Sequence, residues 1–304
     1  ASVCLASLDK SGQSKNSTFT NNPNLFVEVK VDQNGYKWII SRLSGGVMVF
    51  DEGDPSNPTD DRQIQLTSAN TEMTTNDVKT VEVDLDGDVW VGTSQGPVVF
   101  ECGSSIFNGN CKGSRRKVDQ NGIIYYLLAS EAITAIAVDG ANRKWFGTGN
   151  NGIYVQSPSG EFEIFHFNTS NSPLLDNTIQ DIAIDPKTGE VWISSNGGIQ
   201  VYRSDATSAK DQFTETPLVF PNPVPPDYDG IISIKGLARD ARFKITDLSG
   251  RLVYEDFALG GQASWNGRDY LGRRVATGVY LLFANSTQDF ETSTGITTKI
   301  VFTR

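Results

Sequence analysis

A four-fold internal repeat constrains the fold of this chain more than any other feature of its sequence. The copies span Val29–Phe50, Val81–Phe100, Ile136–Val155 and Ile182–Tyr202. Each holds one tryptophan, and these tryptophans, at positions 38, 90, 145 and 192, are 52, 55 and 47 residues apart. A period near fifty residues built from short strands is typical of the blades of a β-propeller.

Each copy has the pattern of antiparallel strands joined by tight turns. Apolar and polar residues alternate over four or five positions, as in a strand with one buried face. The first turn begins with aspartate in every copy, at Asp32, Asp84, Asp139 and Asp185. Aspartate accepts a hydrogen bond from the backbone two residues on, and a following glycine or asparagine tolerates positive φ. With outer strands predicted at 62–66, 123–128 and 161–167, we expect four strands per blade and the tryptophan on the second.

Composition and charge indicate two domains. The chain has 304 residues, 38% of them hydrophobic. Residues 1–216 carry 16 basic and 27 acidic side chains, whereas residues 217–304 carry 10 and 9. The net charge of −10 argues against nucleic acid as a partner, and one histidine and three cysteines argue against a His/Cys metal site.

A proline-rich stretch separates the two predicted domains. Five prolines lie between Pro217 and Pro226, and we expect such a run to stay unpaired and to act as a stiff linker. Six short strands follow, which is typical of an Ig-like antiparallel β-sandwich. They are predicted at 231–234, 242–247, 251–257, 263–265, 278–285 and 297–302. The predicted organisation is a propeller segment at 1–212, a linker at 213–228 and a sandwich at 229–304.

Motifs in both parts resemble known modules. The second copy follows the two-component-regulator propeller repeat at Asn76, Val78, Val81, Asp84, Gly87, Trp90, Gly92, Thr93 and Gly96. The fourth copy matches it as well, whereas the first departs from it at Ile40-Ser41-Arg42. In the second domain, segments 220–223, 244–250, 265–269, 275–280 and 299–302 resemble the C-terminal sorting domain of the type IX secretion system of Bacteroidota.

Together these modules resemble the PorZ family, whose members are surface components of the type IX secretion machinery. The resemblance implies a non-enzymatic scaffold or carrier on the outer membrane of a Gram-negative bacterium, exported through the periplasm. It implies as partners the sortase PorU, the barrel protein PorV and PorQ. It also implies binding of anionic lipopolysaccharide and its presentation to the sortase. Because family members carry two such propellers, we expect the chain to be the C-terminal part of a longer protein, the alternative being a complete four-bladed propeller.

Three other functions stay open on the sequence. A secreted cargo protein would carry the same sorting domain and lose it by cleavage. A hybrid two-component regulator would use the propeller as its periplasmic sensor. A polysaccharide-active enzyme would need a pair of catalytic carboxylates, and the many aspartates fall mainly on the repeat turns instead.

The predicted sandwich concentrates basic residues that suit anion binding. The planar fork of arginine makes bidentate contacts with phosphate or carboxylate. The candidate anion-binding residues are Arg239, Arg242, Lys244, Arg251, Arg268, Arg273 and Arg274. The alternative is ordinary solvated surface. A second basic run, at 112–117 in the acidic domain, is a candidate docking patch or a solvated loop.

Catalytic, cofactor and metal sites are not predicted. The segment 84–88 has carboxylates at alternate positions, as a calcium loop does, but it lacks the further ligands of an EF-hand, so a turn is favoured. His166 lies on a predicted outer strand without a nucleophile that the sequence places beside it. Cys102 and Cys111 flank a short polar loop, for which a disulfide is expected in an exported protein. Cys4 is then left over, and we expect it to be a buried free thiol.

Overall fold

The structure is a computed structural model that describes residues 3–8, 14–19, 26–41, 45–54, 57, 59–120, 122–286 and 295–303. Antiparallel sheets make up nearly all of its regular structure. The chain forms two compact units. One comprises residues 1–138, 143–183 and 192–200, and the other 139–142, 184–191 and 201–304. Among the described residues, no helix is long and apolar enough to cross a membrane.

The first repeat forms a complete four-stranded blade. A hairpin of β1 (Val3–Leu8) and β2 (Ser14–Phe19) precedes it. The blade consists, in spatial order, of β3 (Phe26–Val31), β4 (Lys37–Ser41), β5 (Val47–Asp51) and β6 (Arg62–Leu66). Residues 47–50 of β5 are all buried, because both faces of an inner strand are covered.

The second blade has three strands instead of the four predicted. They are β7 (Val78–Val83), β8 (Val89–Thr93) and β9 (Gly96–Phe100), and a 3₁₀ helix at Gly103–Asn108 follows. The predicted outer strand at 123–128 instead contributes to a separate hairpin of β10 (Lys117–Gln120) and β11 (Ile123–Tyr126). That prediction was wrong because Ser114 already pairs with Val99 at the edge of the blade, through backbone hydrogen bonds of 2.7 and 2.9 Å.

The third and fourth repeats complete the series of blades. The third has the four strands β12 (Ile133–Val138), β13 (Lys144–Thr148), β14 (Ile153–Gln156) and β15 (Glu163–Phe167). The fourth has three, β16 (Ile179–Ile184), β17 (Glu190–Ser195) and β18 (Gly198–Arg203). All four tryptophans lie on the second strand of their sheet, as predicted. The predicted architecture of propeller blades is therefore confirmed, whereas the count of four strands holds for two of them.

The glycine two residues after the tryptophan allows neighbouring blades to approach each other. A Cβ atom on Gly92 would lie 2.8 Å from Ile133, and one on Gly147 would lie 2.6 Å from Ile179. These isoleucines belong to the first strand of the next blade. The glycine of the repeat is therefore required by packing between blades.

The second part of the chain is a sandwich of two antiparallel sheets. Its strands are β19 (Leu218–Phe220), β20 (Ile232–Lys235), β21 (Arg242–Asp247), β22 (Leu252–Phe257), β23 (Gln262–Trp265), β24 (Gly278–Asn285) and β25 (Gly295–Phe302). One sheet has the order β19-β20-β23 and the other β22-β21-β24-β25. Trp265 is buried between them, with its ring edge-on to Phe302 at 5.5 Å and to Tyr280 at 6.1 Å. The predicted sandwich is confirmed, and each of its six predicted strands is present.

One strand of the sandwich lies inside the predicted linker. Leu218–Phe220 pairs with β20 in the register Val219 to Ile234. Farther along, the amide of Val224 donates to the carbonyl oxygen of Val301 at 2.7 Å. The expectation that the proline run cannot pair was wrong here, because the prolines flank the three paired residues and do not interrupt them. The domain boundaries stay a prediction.

Candidate functional site

The aspartate that opens the repeat organises its turn and also holds the tryptophan. Asp32 Oδ1 accepts a hydrogen bond from the amide of Tyr36 at 3.0 Å, and its Oδ2 accepts one from Trp38 Nε1 at 2.9 Å. Asp84 is placed in the same way and accepts from Trp90 Nε1 at 3.0 Å. This bond was not predicted from the sequence, although the spacing of six residues between aspartate and tryptophan in the first three copies was its signal.

A buried lysine of the third blade is paired with Asp84 of the second. Lys144 Nζ lies 2.7 Å from Asp84 Oδ2, and these side chains are 0% and 3% exposed. The same ammonium group donates to the carbonyl oxygen of Pro158 at 2.6 Å and lies 5.3 Å from the centre of the Trp90 ring. Burial lowers the pKa of Lys144, and the negative charge of Asp84 opposes this. The Asp84 carboxylate is thus engaged by the turn, an indole and an ammonium group.

Asp88 lies at the edge of this charged cluster. Burial, and then the negative charges of Asp84 and Glu101, raise the pKa of Asp88 to about 6. Among the described residues, no three His, Cys, Asp or Glu side chains are arranged to hold a metal ion. The contacts of the 84–88 segment are those of a turn, which is the role favoured from the sequence.

The remaining candidates of the propeller segment are held in structural contacts. His166 stacks on Tyr154 with ring centres 3.9 Å apart, and its Nε2 lies 2.8 Å from the carbonyl oxygen of Asn151. Cys102 and Cys111 are joined by a disulfide whose Cα atoms are 5.8 Å apart. Cys4 lies in β1, but its side chain is outside the described residues.

The basic run at 112–117 does not form one patch. Arg116 pairs with Glu101 at 2.7 Å, and the Arg115 guanidinium lies 4.0 Å from the centre of the Tyr126 ring. Two of the four basic side chains therefore contact different groups of the propeller segment.

Most of the basic residues proposed for anion binding face carboxylates. Arg242 and Lys244 share Glu255, at 2.9 and 3.7 Å. The other ion pairs are Arg239 with Asp211 at 3.2 Å, Arg251 with Asp247 at 3.1 Å and Arg273 with Asp269 at 2.8 Å. Arg268 and Arg274 donate to the backbone carbonyl oxygens of Gly272 and Pro226. Most positive charges of this surface are therefore balanced by a neighbouring carboxylate. Arginine side chains outnumber carboxylates only at particular places on the surface.

Three of these arginines meet at one small cleft of the sandwich. The cleft has a volume of about 260 Å³, and Arg251, Arg273 and Arg274 line it together with Tyr270 and Asp269. Arg251 and Arg273 have side chains that are 78% and 68% exposed, so both can exchange their carboxylate partners for a ligand. The other four candidates, Arg239, Arg242, Lys244 and Arg268, do not line this cleft.

The fold and these sites define a class of proteins in which β-propeller blades precede an antiparallel sandwich. No protein-family model matches the chain, and no curated protein matches it. A solved structure of PorZ, an essential bacterial surface component of the type IX secretion system of Porphyromonas gingivalis, is 27% identical to it. That match covers 96% of this chain and 41% of PorZ, with a TM-score of 0.62. The chain is thus similar to PorZ in sequence and in fold over nearly its whole length.

Two further solved structures are less similar to this chain. The extracellular domain of a hybrid two-component system from B. thetaiotaomicron is 13% identical, over 97% of this chain and 43% of that one, with a TM-score of 0.43. Virginiamycin B lyase from Staphylococcus aureus is 16% identical, over 68% of this chain and 64% of the lyase, with a TM-score of 0.39.

Proposed function

We propose that this chain acts as a non-enzymatic surface component of a type IX secretion machinery. The observation that carries the proposal is the 27% identity with PorZ, which extends over 96% of this chain. The chain spans less than half of the PorZ structure, so the activity and the partners of the whole protein are part of the proposal. The proposed location is the outer surface of a Gram-negative bacterium, and the proposed partners are the sortase PorU, the barrel protein PorV and PorQ.

Co-purification tests the scaffold role. The tagged protein is expressed in its source bacterium and recovered from detergent-solubilised outer membranes, and its companions are identified by mass spectrometry. We expect the sortase and the barrel protein to be recovered with it. Recovery from the culture medium alone, with the sandwich cleaved off, would instead identify a secreted cargo protein.

The finer role that we propose is to carry anionic lipopolysaccharide and present it to the sortase. The cleft lined by Arg251, Arg273 and Arg274 supports this role, because arginine binds phosphate and carboxylate groups in a bidentate manner. Each exposed contact contributes about 0.2–1 kcal/mol. Binding therefore needs several arginines together, and it weakens as salt screens the charges.

A comparison of two lipopolysaccharides tests this role. Biotinylated anionic and neutral forms are immobilised, and binding of the whole chain is measured at low and high salt. We expect a preference for the anionic form that Arg273→Ala/Arg274→Ala reduces. Arg242→Ala/Lys244→Ala is the matched control, since it removes the same charge from the same domain outside the cleft. Equal binding of both forms, unaffected by salt or by the cleft variant, would rule out this site but leave the scaffold role standing.

A further inference from the structure

A larger cleft, with a volume of about 820 Å³, lies in the first compact unit between the β10–β11 hairpin and the third blade. Four aromatic rings line it, those of Tyr125, Tyr126, Tyr154 and Phe162. Tyr125 is 49% exposed and Phe162 is 68% exposed. Large exposed rings grouped around a concave surface mark a binding site more often than scattered apolar residues do.

The cleft is strongly acidic. Its lining includes Lys117 and four carboxylates, which are Asp119, Glu131, Glu161 and Glu163. Within the described part of the chain, none of these four is paired with a basic side chain. Burial, followed by the negative charges of Glu131 and Glu163, raises the pKa of Tyr154.

One wall of the cleft also holds a polar atom without a partner. Gln156 on β14 is only 2% exposed, and its Oε1 has no hydrogen-bond partner among the described residues. A buried acceptor left in this state costs about 1–3 kcal/mol. An unpaired buried acceptor in a native structure requires an explanation. One explanation is that a ligand supplies the missing hydrogen-bond donor.

From these features we infer that the cleft binds an arginine side chain of a partner polypeptide. A guanidinium group presents five N–H donors and no acceptor, which suits both the carboxylates and Gln156 Oε1. Its planar face stacks on aromatic rings. The chain itself makes this contact nearby, where the Arg115 guanidinium lies 4.0 Å from the centre of the Tyr126 ring. The excess of negative charge repels an anionic ligand, so this site is independent of the lipopolysaccharide cleft proposed for the sandwich.

A pair of nearly isosteric probes tests the inference on the whole chain. N-acetyl-arginine amide carries the guanidinium group, and N-acetyl-citrulline amide has the same shape without the charge. Binding is followed by the chemical shifts of backbone amides at 123–126 and 154–163. We expect the arginine probe to bind about fivefold or more tightly than the citrulline probe, with the difference shrinking at high salt.

Matched variants separate this site from the general acidity of the chain. Glu161→Gln/Glu163→Gln is expected to reduce arginine binding about fivefold and to leave citrulline binding unchanged. Glu215→Gln/Asp227→Asn removes the same charge from exposed positions outside the cleft and is expected to leave both unchanged. Equal affinities for the two probes, or equal losses in the two double variants, would overturn the inference. If neutral cellohexaose shifted the same backbone amides, at 123–126 and 154–163, and the charge variants did not affect its binding, the cleft would be a glycan site and not an arginine site.

Discussion

At the scale of single residues, the leading aspartate of the repeat does more than form a turn. In the second copy it also neutralises a lysine from the next blade, since Asp84 and Lys144 form an ion pair that is almost wholly buried. Asp32 has the same place in the first copy, the same bond to its tryptophan and similar burial. A comparison of Asp32 with Asp84 therefore separates the contribution of the aspartate to the turn from its contribution to the ion pair.

We predict that Asp84→Asn destabilises the protein more than Asp32→Asn does. Asparagine still accepts the bond from the indole, but it leaves the Lys144 ammonium buried without its counter-charge. Loss of one partner of a buried pair costs about 3–5 kcal/mol, against about 1 kcal/mol for a weakened side-chain hydrogen bond. Free energies of unfolding from urea titrations measure the difference, and equal losses in the two variants would show that the ion pair contributes nothing.

Asp88 predicts a specific dependence of stability on pH. Because its pKa in the folded state, about 6, lies above the ordinary value of 3.8, the folded state binds this proton more tightly than the unfolded state does. The stabilisation is therefore fully present below pH 3.8 and is lost as the pH rises through 6.

We therefore predict that Asp88→Asn raises stability at pH 7.5 and has no effect at pH 3.5. The gain at the higher pH is expected to be about 1 kcal/mol, because partial exposure of Asp88 lets solvent screen the repulsion. Thermal unfolding at the two pH values measures it. Asp86→Asn removes a charge from an exposed position of the same turn and serves as the control. A gain of the same size in both variants would attribute the effect to net charge alone.

At the scale of strands and turns, one glycine of the third blade has no room for a side chain. Gly152 has a φ of +79°, and a Cβ atom there would fall on the carbonyl oxygen of Phe167 in the neighbouring strand. Gly250 in the sandwich has a similar φ of +86°, but a Cβ atom there would meet nothing within 4 Å. The two glycines share one backbone conformation and differ in their surroundings.

We predict that Gly152→Ala costs more stability than Gly250→Ala. At Gly250 alanine adds backbone strain of about 1 kcal/mol, whereas at Gly152 it also separates β14 from β15. Urea titrations of the two variants give the comparison. Losses of equal size would mean that backbone strain alone accounts for both glycines.

Local patterns predicted the strands well and their partners less well. Turn residues and alternation placed the six sandwich strands and the tryptophan of every blade. The outer strand of the second blade was misplaced, because pairing at that edge depends on Ser114 meeting Val99 across the inserted loop. Similarly, Arg242 and Lys244 both fall in the strand predicted at 242–247, but their shared partner Glu255 follows from the register of β21 with β22, which the sequence does not reveal.

At the scale of the whole chain, the second and third blades each pack an aromatic ring on the tryptophan of the blade before them. Trp38 packs on Phe100 of the second blade at 5.4 Å, and Trp90 packs on Phe146 of the third at 5.8 Å. Both tryptophans and Trp145 are at most 2% exposed. Trp192 of the fourth blade is 47% exposed, and Ile199 on the neighbouring strand of the same sheet is 71% exposed. We expect a further blade of the same repeat to be the natural cover for this apolar face.

The exposure of Trp192 makes this residue an intrinsic fluorescence probe of its own face of the fourth blade. Of its five tryptophans, the other four are buried at 1–2%, so Trp192 alone meets a dissolved quencher. Acrylamide should quench only part of the intrinsic emission, and Trp192→Phe should abolish that part and shift the remaining emission to shorter wavelength. When another blade or subunit closes over this face, the quenchable part should vanish without any mutation. The quenchable fraction of the intrinsic tryptophan fluorescence therefore reports assembly at this face. A quenchable fraction that persists after Trp192→Phe would exclude the assignment of that fraction to Trp192.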